Sequence, residues 1–333
     1  MAKEKRNLMS LEAVCEFLRA NDDYLILTHK SPDGDTLGSG FALLLILQSM
    51  GKKARVICPD PIPEKYGFFV SECENPEIGA DKTVVAVDVA DKKLLGALCE
   101  VYGDEVDLTI DHHLSNTGYA KRTYLDDGAA ANCEIIFSIA KMLSVEINEL
   151  LALCLYTGIS TDTGCFRFSN TTEKTFLAAA ELMKIGIDVF LVNRLMFETK
   201  SKERLALEAE ALGNIEYFFG DKCAVIAITK EMYERTGCKD EELEGITTLP
   251  RTIEGVLAGI TIREKENGGY RVSVRTYAPL DASEICARLG GGGHVRAAGC
   301  EFKGDLGIEK VKETVLEQVK AVMEEDCAGI TFN

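Results

Sequence analysis

The chain reads as an α/β protein of two domains, an N-terminal parallel-sheet domain and a smaller C-terminal α/β domain. Three observations predict this class. Its 333 residues exceed what one hydrophobic core usually organises. The first half alternates short apolar runs with segments of helical periodicity, the rhythm that builds a parallel sheet with helices on its faces. A second alternation begins afresh at Cys223 after a long helical stretch. The expected boundaries are 1–188 for the first domain, 189–218 for a helical linker and 219–333 for the second domain.

Each element has its own signal. Tyr24-Leu-Ile-Leu-Thr28 is short and apolar, a buried strand. A helix follows from about Thr36 to Met50, stopped by Gly51. Ala54 to Cys58 and Thr83 to Asp88 are the next strands, then a helix near Lys92 to Glu100 and a fourth strand from Val106 to Ile110. From Ala129 to Gly186 the pattern is mostly helical, with a polar interruption at Gly158 to Gly164, and Asp188 to Glu216 continues it as linker. In the second half, Cys223 to Ile228, Gly255 to Ile262 and Tyr270 to Tyr277 read as strands. The last two are joined by the turn Glu266-Asn-Gly-Gly. Asp281 is placed to cap a helix ending near Leu289, and Glu309 to Glu325 is a final helix. No internal repeat or low-complexity segment interrupts this order.

Composition narrows the function classes. Apolar residues make up 46% and charged residues 27%, an ordinary soluble balance. The longest apolar run, Phe41 to Leu47, is too short to cross a bilayer. The basic start, Met1 to Arg6, leads into no signal-peptide apolar core, so a cytoplasmic location and no membrane partner are expected. The 12 cysteines are scattered without Cys-x-x-Cys spacing and read as buried free thiols of a reducing compartment. A net charge of −17 works against a sustained grip on duplex DNA, which rests on many Lys and Arg contacts. A small anionic substrate stays compatible if metals and a few basic residues reverse the sign locally.

Only four histidines occur, and all lie in polar motifs: His29 in His29-Lys-Ser-Pro-Asp33-Gly-Asp35, the pair in Asp111-His112-His113, and His294 after Gly290 to Gly293. The first motif, Asp88 and the His112–His113 pair each fall just past the end of an expected strand, the edge of an open parallel sheet where sites form. With Asp162 they offer the imidazoles of His29 and His112 and the carboxylates of Asp33, Asp35, Asp88 and Asp162. That set suits two adjacent divalent cations, with Asp88, alone at the end of a central strand, as the bridge. Carboxylate and imidazole donors without thiolate favour Mn²⁺, with Mg²⁺ or Co²⁺ as alternatives. Two such cations about 3.5–4 Å apart can stabilise both the entering and the leaving oxygen of a phosphoryl displacement. Taken singly, the signals have plainer readings: Asp33-Gly34-Asp35 as a turn, Asp88 as a helix cap, Asp162 as a turn residue.

On these motifs the sequence resembles the DHH phosphoesterases over nearly its whole length. His29 to Asp35 resembles the family's first motif, Val87-Asp88 the second, Asp111-His112-His113 the signature triplet, and Gly158 to Gly164 the fourth. The resemblance implies that His29, Asp33 and Asp88 hold one metal, and Asp35, Asp88, His112 and Asp162 the other. It implies that His113 contacts the substrate phosphate or donates a proton, and that Asp111 orients a ligand imidazole through a hydrogen bond. The C-terminal half resembles the substrate-binding domain usually appended to these enzymes, through Arg271-Val-Ser-Val-Arg275-Thr and Gly290-Gly-Gly-Gly-His294-Val-Arg-Ala-Ala-Gly299. There Gly291, Gly292 and Gly293 permit close approach of a phosphate or base. Arg275 can fork onto a phosphate, and His294 can hydrogen-bond to or stack on a base. As a bare motif the glycine run is also an ordinary turn, and Arg296 is open between surface and site.

The branch most similar is the nanoRNases, oligoribonucleases that also remove phosphate from 3′-phosphoadenosine 5′-phosphate. What this implies is metal-dependent hydrolysis of very short RNA, linear dinucleotides or a nucleotide bisphosphate, in a cleft between the two domains. A homodimer is compatible with it. Cyclic dinucleotides are an alternative substrate. A manganese pyrophosphatase shares the metal motifs, but its Arg-Lys-Lys substrate motif is missing. A processive single-strand exonuclease would need a further nucleic-acid-binding domain and a basic channel. A sensor that binds nucleotide without turnover is the rival from another class.

Overall fold

The computed structural model describes residues 7–79, 82–239, 243, 245–266, 268–304 and 306–326. They form two compact units, Met1–Thr199 and Lys200–Asn333.

In the first unit, α1 (Leu11–Ala20) opens on Ser10, whose hydroxyl accepts from the Ala13 N–H. It leads into β1 (Tyr24–Leu27), α2 (Gly34–Ser49), β2 (Ala54–Ile57), the single turn α3 (Gly67–Val70) and β3 (Thr83–Val87). After α4 (Cys99–Tyr102) come β4 (Leu108–Asp111) and β5 (Thr123–Leu125). The five strands are parallel in the order β2-β1-β3-β4-β5. Alternate residues serve opposite faces. Tyr24, Ile26, Val85 and Val87 join the core that contains Leu37, Leu44 and Leu47 of α2. Leu25, Leu27, Val84 and Ala86 join Leu95 and Val106 on the other face. Burial on both faces is why these strands read as continuous apolar runs. The chain leaves β1 toward one edge and returns across it to β3, so a topological switch point lies between them, where a crevice opens beyond the strand ends.

A helical half completes this unit: α5 (Asn132–Leu143), α6 (Glu149–Asp162), α7 (Glu173–Met183) and α8 (Val189–Asn193). Glycines let α2 and α6 cross nearly backbone to backbone. A Cβ at Gly38 would lie 2.5 Å from the Cys154 carbonyl, and one at Gly34 would run into Thr161. One at Gly158 would strike Cys133 Sγ and come within 2.8 Å of Asp35 Oδ1.

The second unit begins with α9 (Lys202–Gly213), β6 (Glu216–Phe218), β7 (Cys223–Ile228), α10 (Lys230–Thr236), β8 (Ala258–Glu264) and β9 (Tyr270–Thr276). It ends with α11 (Ala282–Arg288), β10 (Gly292–His294), β11 (Ala297–Phe302) and α12 (Ile308–Asp326). Its sheet runs β10-β11-β9-β8-β7-β6, antiparallel except for β7 beside β8. Ile260, Ile262, Val272 and Val274 pack with Ile285 of α11 and Val311, Val315 and Val319 of α12. Asp281 caps α11 as expected, accepting from the N–H groups of Ser283 (2.8 Å) and Glu284 (3.3 Å).

Several local expectations are revised. The polar stretch Gly158 to Asp162 is not an interruption but the last turn of α6, kept helical by its contact with α2. The helix expected from Lys92 to Glu100 is broken at Gly96 (φ +55°) into a 3-10 stretch and α4. The glycine run ends in an edge strand, β10, rather than a plain turn. Of the stretch 189–218, α8 lies in the first unit and α9 and β6 in the second. Asn267 of the turn between β8 and β9 lies outside the described residues; its neighbours Gly268 and Gly269 have φ of +83° and +82°. Among the described residues no helix is long and apolar enough to cross a membrane.

The glycine crossing generates a stability prediction. Gly158→Ala puts a methyl where no space exists, and such overpacking costs about 1–3 kcal/mol. For a unit of this size that is a fall in Tm of roughly 2–12 °C. Calorimetry on the purified variant checks it; an unchanged Tm would mean that α6 does not press on Cys133 and Asp35 there.

Candidate metal centre

The first motif leaves β1 through Ser31, held at φ +52°, and enters α2 at Asp33. The Asp33 carboxylate caps that helix, accepting from the N–H groups of Asp35 and Thr36, both at 3.0 Å. Thr36 fastens the loop to β3: its hydroxyl accepts from the His29 N–H (3.3 Å) and donates to the Val87 carbonyl (3.4 Å). His29 donates from Nδ1 to the Lys30 carbonyl at 2.8 Å. Its Nε2 therefore faces Asp33 Oδ1 at 3.7 Å and Asp88 Oδ2 at 3.5 Å.

Asp88 follows β3 directly. Its backbone is left-handed, φ +59°, which a residue with a Cβ rarely adopts and which clusters at functional sites. The residue is 2% exposed, and Oδ1 has no hydrogen-bond partner. That oxygen faces His112 Nε2 at 3.5 Å. His112 Nε2 also lies 3.8 Å from Asp35 Oδ2 and 3.7 Å from Asp162 Oδ2, while Nδ1 donates to the Ala129 carbonyl at 3.1 Å. Asp35, in the first turn of α2, is buried and accepts from the N–H groups of Asn132 (2.6 Å) and Cys133 (2.9 Å), the first residues of α5. That helix end favours negative charge.

The six expected ligands are thus brought together. Three groups each have their donor atoms within 4.8 Å of one another: His29, Asp33 and Asp88; Asp35, His112 and Asp162; and Asp88, His112 and His113. The Nε2-to-oxygen separations of 3.5–3.8 Å are too long for hydrogen bonds. They are close to the roughly 3.0–3.5 Å that separates neighbouring ligand atoms around one cation at about 2.1 Å. Both Nε2 atoms are aimed inward because Nδ1–H is committed to a carbonyl, the arrangement that orients metal-ligating imidazoles. With the unpartnered buried Asp88 Oδ1, these residues fit divalent cations.

Asp111 acts differently from expectation. It ends β4 and is fully buried. Its Oδ1 accepts from His113 Nδ1 at 2.8 Å and from the N–H groups of His112 and His113. The imidazole it orients is therefore His113, not His112. Asn116, which sequence reasoning passed over, donates to Asp111 Oδ2 at 2.6 Å and fixes that carboxylate. The backbone groups of Ala129, Asn132 and Cys133 were also missed; they carry no side-chain signature.

The charges are strongly coupled. Burial alone would lower the proton affinity of His29 and His112. The carboxylates of Asp33 and Asp88 instead raise His29 well above its ordinary value, and those of Asp88, Asp35 and Asp162 push His112 up to about 11. Burial works upward on Asp88, but the His112 and His29 imidazoles hold it well below the usual carboxylate range. Burial, then the Asp88 charge, pushes Asp35 up to about 7; burial and Asp35 raise Asp162 as well. His113 is raised by its bond to Asp111, against burial.

In the second unit, register sets the expected substrate residues in one row. His294 on β10 pairs with Ala297 on β11, which pairs with Arg275 on β9, which pairs with Gly259 on β8. Paired residues share a face. Gly292 and Gly293 are exposed on β10, and Gly291 sits just before it.

A parallel sheet with clustered carboxylates and imidazoles at its switch point defines an α/β enzyme that depends on divalent metal. Comparison with known proteins places it further. Residues 23–159 match the DHH family, N-terminal domain, and residues 220–325 the DHHA1 domain. The bifunctional oligoribonuclease and PAP phosphatase NrnA of Thermus thermophilus is 32% identical over 324 residues, 96% of each chain. The cyclic-di-AMP phosphodiesterase GdpP of Geobacillus thermodenitrificans is 26% identical over 92% of this chain, which spans 48% of that protein. An exopolyphosphatase-related protein from Bacteroides fragilis superposes with a TM-score of 0.84 at 25% identity, covering 94% of this chain and 97% of that one. The chain belongs to the DHH family of phosphoesterases.

Metal-free, the centre stores protons on His29 and His112, whose raised values keep them charged at neutral pH. Cations take the unprotonated forms, so loading displaces protons and the apparent affinity for Mn²⁺ rises with pH. Isothermal titration of metal-free protein at pH 7, in buffers of different ionisation enthalpy, should report release of about two protons or more. Loading without proton release would remove these imidazoles from the centre.

Proposed function

We propose that the protein is a cytoplasmic two-metal phosphoesterase that hydrolyses short oligoribonucleotides, including linear dinucleotides, and removes phosphate from 3′-phosphoadenosine 5′-phosphate. The observation that carries this reading is the cluster centred on Asp88, whose two oxygens face two imidazoles in two groups of potential ligands. The activities named for the Thermus thermophilus relative support the substrate class.

Charge supports two cations rather than one. Asp33, Asp35, Asp88 and Asp162 together carry four negative charges when ionised, and two divalent ions balance them with both imidazoles neutral. A single ion would leave uncompensated carboxylates in a buried site, which is costly. His29, Asp33 and Asp88 would hold one ion, and Asp35, Asp88, His112 and Asp162 the other, with Asp88 as the bridge. An all nitrogen-and-oxygen donor set suits Mn²⁺, with Mg²⁺ or Co²⁺ as alternatives. When bound, such a pair would supply the positive charge that activates water and offsets the negative charge on the phosphoryl oxygens.

The chain's own residues do the rest. Asp111 keeps the His113 proton on Nδ1 and thereby sets the role of Nε2. The raised proton affinity of His113 lets Nε2 carry a second proton, which it gives to a phosphate oxygen or to the leaving oxygen as the P–O bond breaks. Gly291 to Gly293 permit close approach of the nucleotide. Arg275 and His294 hold the part of the substrate distant from the scissile bond, and remote binding of this kind positions the reacting phosphate.

Incubating the purified protein with Mn²⁺ and an RNA dinucleotide, and separating the products by chromatography, tests the reading; an inert wild type refutes it. Asp88→Asn should lose activity by several orders of magnitude while keeping its fold, because a left-handed backbone tolerates Asn. Retention of roughly a tenth of the activity or more would end the bridging assignment.

The two adjacent imidazoles should separate by metal content. His112→Ala should bind less Mn²⁺ and recover part of its activity when Mn²⁺ is added. His113→Ala should keep its metal and lose turnover. Equal metal loss in the two variants, measured by elemental analysis, would refute the division of roles.

A further inference from the structure

Arg275 has a neighbour that no motif marks. Arg251 lies in a 3-10 stretch, Ile246–Thr252, whose backbone rests on Gly259 of β8. A Cβ at Gly259 would come within 2.5 Å of the Arg251 nitrogen and 3.0 Å of its Cα. Gly259 is the residue paired with Arg275 across β8 and β9. Glycine at that position therefore brings Arg251 down onto the sheet beside Arg275, at the end of the row that starts with His294. The Arg251 guanidinium lies over the ring of Tyr277, 4.9 Å from its centroid. Tyr277 stands two residues after Arg275, where strand alternation returns a side chain to the same face.

Neither guanidinium has a counter-charge among the described residues. Among the described residues no carboxylate pairs with Arg251 or Arg275. Arg251 Nε is buried without a hydrogen-bond partner, and Arg275 Nη1 donates to the Val274 carbonyl. Burial and the nearby positive charge of Arg251 both lower the proton affinity of Arg275. In a chain with a net charge of −17, carboxylates are plentiful, yet none of the described ones joins these two neighbouring arginines. Buried donors of this kind remain costly until an anion joins them.

We propose that Arg251 and Arg275 form a two-guanidinium clamp for a terminal phosphomonoester of the nucleotide substrate. The cation–π contact with Tyr277 holds the Arg251 guanidinium in place, and its remaining N–H groups are donors for a phosphate. A phosphomonoester carries close to two negative charges at neutral pH, whereas an internal phosphodiester carries one. Two guanidiniums thus favour a substrate end that bears a free phosphate, as in a 5′-phosphorylated dinucleotide or a nucleoside bisphosphate. This deepens the proposed function and rests on it for the reaction, but binding tests it independently of turnover.

In the binding arm, the EDTA-treated full chain is titrated with adenosine 5′-monophosphate, adenosine 3′-monophosphate and adenosine. Arg251→Ala and Arg251→Gln should each weaken at least one monophosphate by roughly tenfold or more, the worth of a charge-assisted bond. The isomer that suffers identifies which end of the substrate the clamp holds. Arg251→Lys, which keeps the charge but loses the fork, should recover part of the loss. In the turnover arm, kcat/KM is compared on an RNA dinucleotide with and without a 5′-phosphate. If the clamp holds the 5′ end, the Arg251 variants should lose at least tenfold more on the phosphorylated form. Variants that bind both monophosphates as the wild type does would overturn the clamp, as would equal losses for the monophosphates and adenosine. A wild type that binds the monophosphates through Arg251 but cleaves neither dinucleotide would overturn the proposed reaction and leave the clamp standing.

Discussion

Asp88 and the neighbouring carboxylates of Asp33, Asp35 and Asp162 crowd around two imidazoles, and Asp35 and Asp88 are almost fully buried. Like charges a few ångströms apart repel strongly where the dielectric is low. A fold can keep such a group only if cations or protons balance it and if rigid elements prevent the side chains from turning away. Both conditions are visible. Imidazoles face the carboxylates from two sides. Asp33 is spent on capping α2 and Asp35 on the first N–H groups of α5, so both carboxylates are fixed in direction.

The scaffold supplies position in two ways. The strand order sends the chain away from β1 in both directions, so the loops that carry His29 and Asp88 flank one crevice. Asp162 arrives from outside the sheet, at the end of a helix whose closeness to α2 depends on glycine. A β-strand end and a helix end thus converge on His112. Because each side chain sits at the terminus of a packed element rather than within a long loop, the spacing of donors is set before any ion arrives. The strain stored at Asp88 belongs to the same design: a left-handed residue at a strand end turns the chain sharply while keeping the carboxylate pointed inward.

Most of this was legible in the sequence, because parallel strands buried on both faces announce themselves as apolar runs and the polar clusters sit at their ends. What escaped reading has physical reasons. Thr123–Leu125 is too short to show alternation, and it forms a strand only because β4 lies beside it. Residues 158–162 have poor helix propensity, which the contact with α2 overrides. Gly292 and Gly293 have no side chains with which to display a strand pattern. Asp111 was expected to steady a ligand imidazole and bonds instead to His113, which was not among the expected ligands, since sequence order does not reveal which ring turns back. The helix α1, by contrast, carried readable signals in Ser10 and an amphipathic run.

The borders of the second sheet have a colloidal consequence. Its outermost strands, β10 and β6, are three residues each. An open sheet border with a long, flat apolar strand is a template onto which other chains can add. Here one border is two glycines and a histidine. The other begins with Glu216, which is tied to Lys312 of α12. Three residues offer too little backbone to seed a stack of strands. The shortness of both border strands therefore guards this sheet against the addition of further strands.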